Sequence, residues 1–417
     1  MATLDEYKSQ ARLHMETGDY GAAIRALTEA IDLEKDNITL YFSRGLAYFM
    51  RHDYDLSIED LTTVLAVNHQ NLDALLTRGN AHFHNGDFSD ALDDYNEFIN
   101  IDASHRDAPY ERRATVQLQL GNYPAAIADY DRAIAHDKAN TGKLYGQKAM
   151  VLYQTGKFED AIESATQAIA NDYFAPEVYE TRGSARVQLG QIDEAIADYT
   201  EAITVDKLSA SAYYNRGAVY FQQEAFTEAY DDFTSALHIN SEDMQVLYAR
   251  ALAAMGKGDF RSARRDLSRV IREQPNNAAA YHKRGIAYSE RDKFDKALED
   301  FEQAIKLAPT TPEFLVSLGE LEIELEMYPN AIGYLKRALL HQSDDKSVLY
   351  QRTLGGLSLA YYLNADDDQA TDYYNQLANC DLAYGDTVVW ETRFNWSPLL
   401  IEAAQEMIDA IEAQDES

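Results

Sequence analysis

The tripeptide Gly18-Asp19-Tyr20 returns 34 residues later as His52-Asp53-Tyr54, and 34 residues after that as Gly86-Asp87-Phe88. Related tripeptides, most of them ending in an aromatic residue, recur at nearly the same interval as far as Glu326-Met327-Tyr328. An eleventh copy is shifted by about five residues and has Asp367 where the aromatic residue is expected. A period of this length is typical of stacked structural repeats, which grow by adding units and not by enlarging one core.

The repeated unit resembles the tetratricopeptide repeat family, and the resemblance covers roughly residues 4–384. It implies an all-α fold, a right-handed superhelical α-solenoid of tandem helix-turn-helix hairpins. The predicted solenoid is a single domain of about eleven repeats: 4–37, 38–71, 72–106, 107–141, 142–175, 176–209, 210–243, 244–277, 278–311, 312–345 and a degenerate 351–384. In the register of that family, small residues such as Gly79 and Gly285 face large ones such as Tyr95 and Phe301, as expected where two helices approach closely.

A second regularity couples arginine to aspartate. Seven arginines each precede an aspartate by 16 residues: Arg44–Asp60, Arg78–Asp94, Arg113–Asp129, Arg182–Asp198, Arg216–Asp232, Arg250–Asp266 and Arg284–Asp300. Repeats that lack the arginine also lack the aspartate, as Lys148 and Ser164 illustrate. We therefore predict an ion pair between the two helices of each hairpin, in preference to a ladder of arginines that binds a ligand.

The periodic pattern stops near residue 385, and we assign residues 385–417 to a C-terminal segment. Ser397-Pro398 is a favourable helix start. The following helix is predicted to have an apolar stripe formed by Leu400, Ala403, Met407 and Ile411. Such a helix would cap the exposed apolar face of the last hairpin. An alternative role for Trp390 and Trp396 is a docking patch, because tryptophan is favoured at interfaces.

The formal charge is -33, from 70 acidic and 37 basic residues. A surface this negative repels phosphate backbones and anionic lipids, so we expect no nucleic-acid or membrane partner. It suits basic or amphipathic protein partners, although adaptation to high salt is an alternative explanation. The sequence from Met1 to Lys8 has no signal-peptide pattern, no apolar run reaches about 18 residues, and Cys380 is the only cysteine. We expect a soluble, cytoplasmic protein.

The sequence contains no recognisable catalytic, cofactor or metal motif, and we predict that the protein is not an enzyme. Cys380 has no histidine partner in an evident motif. His82 and His84 are two residues apart and so lie on different faces of a helix. Asp366-Asp367-Asp368 lacks the glycine and the twelfth-position glutamate of a calcium loop. No glycine-rich phosphate loop is present.

The family resemblance also implies a concave groove lined by the first helix of each hairpin. Carried onto this sequence, it gives two apolar patches. The first patch is Phe42, Leu46, Phe49, Leu76, Asn80 and Phe83. The second patch is Tyr214, Asn215, Phe221, Tyr248, Leu252, Met255, His282 and Ile286. We predict that they bind an extended or helical segment of another protein, because contiguous exposed apolar patches usually mark binding sites. The alternative is that these side chains pack against neighbouring hairpins.

A basic patch stands out in the eighth repeat. It consists of Arg261, Arg264, Arg265, Arg269 and Arg272. One interpretation is a solvated helix face. The other is a docking site for an acidic segment, such as the acidic tail of a second copy of the chain, so self-association stays open.

The leading functional prediction is a non-catalytic scaffold or adaptor that binds a partner polypeptide in the groove, without a cofactor. A co-chaperone or complex-assembly factor is one alternative. A regulatory module that senses a peptide or small ligand is another. Chaperone-tail binding of the kind known in this family is rejected, because Arg12, Ser43, Asp73 and Thr77 stand where its asparagine, asparagine, lysine and arginine belong.

Overall fold

The computed structural model describes residues 3–102, 109–344, 346–394 and 396–415, and within these ranges the regular secondary structure is entirely helical. The first twelve helices are α1 (Leu4–Glu16), α2 (Tyr20–Leu33), α3 (Ile38–Met50), α4 (Tyr54–Val67), α5 (Leu72–Asn85), α6 (Phe88–Ile101), α7 (Tyr110–Gln119), α8 (Tyr123–His136), α9 (Thr141–Gln154), α10 (Phe158–Ala170), α11 (Pro176–Gln188) and α12 (Ile192–Val205). The next twelve are α13 (Ala210–Gln222), α14 (Phe226–Ile239), α15 (Met244–Gly256), α16 (Phe260–Glu273), α17 (Ala278–Ser289), α18 (Phe294–Leu307), α19 (Pro312–Glu324), α20 (Tyr328–Leu340), α21 (Val348–Leu363), α22 (Asp367–Cys380), α23 (Thr387–Phe394) and α24 (Pro398–Asp415). A short 3-10 helix, Leu382–Gly385, precedes α23.

Contacts divide the chain into two compact units, Met1–Ala212 (unit 1) and Tyr213–Ser417 (unit 2). In unit 1 each odd-numbered helix packs against the following even-numbered helix, which in turn packs against the first helix of the next hairpin. Unit 2 repeats this arrangement from α14 to α22. Among the described residues, the predicted all-α fold and a total of about eleven hairpins are thus confirmed, and successive hairpins stack within each unit. The boundary predicted between the third and fourth repeats, at residues 106 and 107, lies outside the described residues.

The recurring tripeptide forms the turn inside each hairpin. Gly18 adopts a φ of 75°, in the left-handed region where glycine is favoured at the end of a helix. Asp19 then caps α2, because its side chain accepts a hydrogen bond from the backbone N–H of Ala22 at 2.9 Å. His52, which replaces glycine in the second repeat, keeps a φ of 68°. The repeat in the sequence therefore marks the turn at which the first helix of each hairpin ends and the second begins.

The predicted Arg–Asp pairs are confirmed in all seven repeats. In the ninth repeat, Arg284 donates from Nε to Asp300 Oδ2 and from Nη2 to Asp300 Oδ1, each at 2.7 Å. Its Nη1 also donates to Ser268 Oγ, on the second helix of the preceding hairpin, at 3.1 Å. One arginine thus joins three helices in two successive repeats, which favours a structural role over a ligand-binding ladder.

Small residues allow the two helices of a hairpin to approach closely. A Cβ added at Gly285 on α17 would lie 2.7 Å from the ring of Phe301, which is buried on α18. At Gly333 on α20, an added Cβ would meet nothing within 4 Å. The two glycines therefore form a matched pair for testing the close packing.

We expect Gly285→Ala to lower the free energy of unfolding by about 1–3 kcal/mol, because a methyl group must displace a packed aromatic ring. Gly333→Ala should instead raise it by about 1 kcal/mol through the better helix propensity of alanine. Urea denaturation followed by circular dichroism measures both changes. Equal effects of the two substitutions would contradict the close-packing explanation.

The C-terminal segment packs on first helices of unit 2. Helix α24 contacts α19 and α21, and its buried apolar side chains are Leu400, Ala404, Met407, Ile408 and Ile411. Ala403, which we predicted in this stripe, is only half-buried. The docking-patch alternative for the tryptophans is wrong, because Trp390 is 0% exposed and Trp396 is 6% exposed. Residues 416 and 417, at the end of the predicted C-terminal segment, lie outside the described residues.

Candidate functional site

The first patch lies on α3 and α5 of unit 1, and all six of its side chains are half-buried. Part of this surface is already used within the chain. The Asn80 Oδ1 atom accepts hydrogen bonds from the Tyr95 hydroxyl at 2.8 Å and from Arg112 Nη1 at 3.1 Å. The ring of Phe49 packs against Tyr54, with 5.9 Å between centroids. The first patch therefore keeps a partly exposed apolar face while its edges pack on neighbouring helices.

The second patch lies on α13, α15 and α17 of unit 2 and, apart from His282, is also half-buried. The ring of Tyr214 lies 5.7 Å from that of Phe233, and its hydroxyl accepts a hydrogen bond from Gln245 Nε2 at 2.9 Å. The ring of Phe221 lies 5.4 Å from that of Phe226. Packing on neighbouring hairpins thus accounts for part of each side chain, and solvent reaches the rest.

His282 requires a correction, because we predicted it among the groove residues. Its side chain is 1% exposed. The ring packs between Phe301 and Phe314, at centroid distances of 5.6 and 4.6 Å, and Nε2 shares a hydrogen bond of 2.9 Å with Ser317 Oγ. Burial, followed by the positive charge of Lys283, lowers the pKa of His282 to about 4. A neutral core histidine is not available to a partner, so the second patch no longer includes it.

A cleft of about 700 Å³ opens beside α17, α19 and α21 of unit 2. Its apolar lining includes Ile286, Phe294, Leu321, Leu349 and Leu400. Its charged lining consists of five acidic residues, Glu290, Asp292, Glu313, Glu320 and Glu324, and two basic residues, Lys283 and Arg352. The cleft therefore combines an apolar wall with an excess of negative charge. Of these residues, only Ile286 was predicted to line the groove, and Leu400 was predicted only as part of the capping helix.

The C-terminal segment forms one side of the cleft. Trp396 Nε1 donates a hydrogen bond of 2.7 Å to Glu320 Oε1, which also accepts from Arg352 Nε at 2.6 Å. The Ser397 hydroxyl donates to Glu324 Oε1. Trp396 and Glu320 are 76 residues apart in the chain, and neither residue belongs to a periodic pattern that would have paired them.

The carboxylates of the cleft differ in their electrostatic environment. Burial raises the pKa of Glu324, and the nearby charges of Glu320, Glu290 and Asp292 raise it further, against the Ser397 hydrogen bond. Glu313 behaves differently: burial alone would raise its pKa, but the contact of its Oε1 atom with Lys283 Nζ at 2.9 Å and the charges of Lys283, His282 and Arg352 together lower it. The corner around Glu324 is therefore the part of the cleft where negative charge is least compensated.

Sequence models of repeat families match along most of the chain. One, described as TPR repeat, matches residues 11–51 and 183–224. Two others, both described as tetratricopeptide repeat, match residues 210–243 and 278–311, and residues 42–109, 111–176 and 248–288. The chain belongs to the tetratricopeptide repeat family. Because tetratricopeptide repeats stack into surfaces that bind other proteins, this tetratricopeptide protein is in general terms a protein-interaction scaffold.

Several solved structures are similar to this tetratricopeptide chain. The C-terminal part of a TPR repeat-containing protein from Cytophaga hutchinsonii is 16% identical, covers 62% of this chain and 98% of its own, and has a TM-score of 0.48. A tetratricopeptide repeat protein from Parabacteroides merdae is 20% identical over 59% of this chain and 97% of its own, with a TM-score of 0.43. Yeast Tom70 is 19% identical over 99% of this chain and 96% of its own, with a TM-score of 0.39. No curated protein matches the chain.

The basic patch occupies the exposed side of α16 in this tetratricopeptide array. Arg261, Arg265 and Arg272 are exposed, and Arg272 Nε contacts Glu273 Oε1 at 2.9 Å. Arg264 is half-buried and its guanidinium lies 5.2 Å from the ring centroid of Tyr288, so it is partly withdrawn from solvent. Both interpretations of this patch, a solvated face and a docking site for an acidic segment, stay open. Among the described helices, none has the length and apolar character needed to span a bilayer.

Proposed function

We propose that this protein is a non-catalytic scaffold or adaptor that binds an extended or helical segment of a partner protein on its first helices. The observation that carries the proposal is the second patch, where Tyr214, Phe221, Tyr248, Leu252 and Met255 stay partly exposed on adjacent first helices. Exposed aromatic and aliphatic side chains that cluster in this way are the usual anchors of protein interfaces.

Packing within the array supports the same conclusion. Tyr214, Phe221, Tyr248 and Met255 pack against the core of unit 2 on one side. A side chain that is already held in this way loses little conformational freedom when a partner covers its other side. The patch is therefore a preorganised surface, and a partner segment would gain apolar burial at a low entropic cost.

We expect the triple variant Phe221→Ser, Tyr248→Ser and Leu252→Gln to lose its partners. Truncation of central interface anchors commonly weakens binding by roughly tenfold or more. Affinity capture with cross-linking from native lysate, compared quantitatively with the unmodified protein, measures the loss. Captured proteins are then purified and their affinities measured directly.

A matched control replaces apolar residues of unit 2 that lie outside the patch: Ile239→Ser, Met327→Gln and Leu340→Gln. These three side chains are 36%, 37% and 82% exposed. The control should retain the partners, and circular dichroism should show that both variants stay helical. If the folded patch variant binds every partner as the control does, the second patch is not the binding surface.

A further inference from the structure

The cleft of unit 2 already holds one peptide segment, which belongs to this chain. Trp396 and Ser397 lie across α19, and each donates a hydrogen bond from its side chain to a glutamate, Glu320 or Glu324. The indole is 6% exposed, so the contact with Glu320 is shielded from water. These contacts demonstrate that the carboxylates of α19 accept hydrogen bonds from donors on a polypeptide that lies on the first helices.

Three carboxylates at the open part of the cleft are left without a basic partner. Glu313 contacts Lys283, and Glu320 is bound by Arg352. In contrast, Glu290, Asp292 and Glu324 contact no lysine or arginine within 4.0 Å among the residues that the structure describes. No group of three or more histidine, cysteine, aspartate or glutamate residues in the described part of the chain is placed to hold one metal ion. Separate donors on a flexible ligand therefore suit this corner better than a single cation.

Apolar residues line the same cleft. Ile286, Phe294 and Leu321 line the cleft together with these carboxylates, and so does Leu399, which is 59% exposed. Lysine and arginine carry an aliphatic stem below the charged group, so they can bury the stem against such residues while the charge meets a carboxylate. A volume of about 700 Å³ is within the range of roughly 300–1,000 Å³ that is typical of sites enclosing a compact ligand.

We propose that this cleft binds a short, extended segment of a partner protein that carries lysine or arginine next to an apolar residue. The inference rests on the proposed scaffold function and defines the chemistry of the partner at one place in unit 2. The basic side chains occupy the corner formed by Glu290, Asp292 and Glu324, beside the segment that Trp396 and Ser397 anchor. An acidic segment or a nucleic acid is excluded from the same corner by charge repulsion.

The test uses the full-length protein and three labelled probes: short peptides that alternate leucine with lysine, with glutamine or with glutamate. Fluorescence anisotropy measures the affinity of each. The test variant combines Glu290→Gln, Asp292→Asn and Glu324→Gln. Asparagine is chosen at position 292 because Asp292 has a φ of 53°, which asparagine tolerates. The control variant combines Asp295→Asn, Glu299→Gln and Glu326→Gln, three exposed residues outside the cleft whose replacement changes the net charge equally.

We expect the lysine peptide to bind the unmodified protein roughly tenfold more tightly than the glutamine peptide, and to lose most of this preference in the test variant. The control variant should bind within about twofold of the unmodified protein, and added salt should weaken the lysine peptide most. Equal affinities for the lysine and glutamine peptides would overturn this inference while leaving the scaffold function to the capture experiment. An equal loss in both variants would also overturn it, because the effect would then come from net charge and not from the cleft.

Discussion

Replacing Arg284 with methionine is expected to lower the free energy of unfolding by about 3–5 kcal/mol. The substitution keeps an unbranched apolar stem but removes the three hydrogen bonds that join Arg284 to Asp300 and Ser268. The side chain of Asp300 is 7% exposed, so its charge would remain buried without a partner. The loss comes mainly from this uncompensated carboxylate, and the net contribution of the intact pair is smaller.

Two comparison variants separate this explanation from a general effect of removing arginine. The double variant Arg284→Met with Asp300→Leu removes both charges and should recover much of the lost stability. Arg12→Ala removes an arginine whose contact with Glu16 is exposed, with side chains 83% and 61% accessible, and should cost less than about 1 kcal/mol.

Repeat arrays need not unfold in one step, so urea denaturation is best combined with hydrogen exchange. The loss of stability in Arg284→Met should appear first as faster exchange of backbone amide hydrogens in α16, α17 and α18. Equal destabilisation by Arg284→Met and Arg12→Ala would show that burial of Asp300 is not the cause.

The Arg–Asp pairs were predictable because both partners lie in one hairpin and recur at a fixed spacing. The third contact was missed, although its signal is in the sequence. For six of these arginines, a residue 16 positions earlier, or 17 positions earlier in the case of Asn96, carries a side-chain oxygen that accepts a hydrogen bond from Nη1. These acceptors are Thr28, Thr62, Asn96, Thr166, Thr234 and Ser268. A hydroxyl on an exposed helix face is common, so it has no meaning until the neighbouring repeat is placed beside it.

The fold was predictable from the period, whereas the cleft was not. Hairpin turns, caps and small–large contacts are local, and each repeat presents them again. The contacts of Trp396 with Glu320 and of Ser397 with Glu324 join parts of the chain 76 and 73 residues apart. They occur once and follow no period. His282 was misplaced for a related reason, since the family register gives the face of a helix but not the aromatic neighbours that bury this ring.

Replacing Glu322 with glutamine is expected to remove a pH dependence from the stability of unit 2. Glu322 on α19 is 3% exposed, and its Oε2 atom has no hydrogen-bond partner among the described residues. Burial, together with the charge of Glu302, raises the pKa of Glu322 from 4.5 to about 7, against the opposing effect of a hydrogen bond from Asn330. Folding therefore favours the protonated carboxyl group.

The direction of the effect follows from proton linkage. Between pH 4.5 and about 7 the folded protein holds a proton on Glu322 that the unfolded chain has released. The contribution of this residue to the free energy of unfolding must then fall as the pH rises through that window, and stay constant above it. The raised pKa corresponds to a loss of about 3 kcal/mol in the free energy of unfolding by pH 8.

The measurement is urea denaturation of the unmodified protein and of Glu322→Gln at pH 4.5 and pH 8. Glutamine has the same shape and no charge, so any cost of placing its amide at this site is the same at both pH values. From pH 4.5 to pH 8, the free energy of unfolding of the variant should rise by about 3 kcal/mol relative to that of the unmodified protein. Glu326→Gln, at an exposed position two residues after the end of α19, should show no such rise. If the difference in the free energy of unfolding between Glu322→Gln and the unmodified protein is the same at both pH values, folding does not favour the protonated form of Glu322.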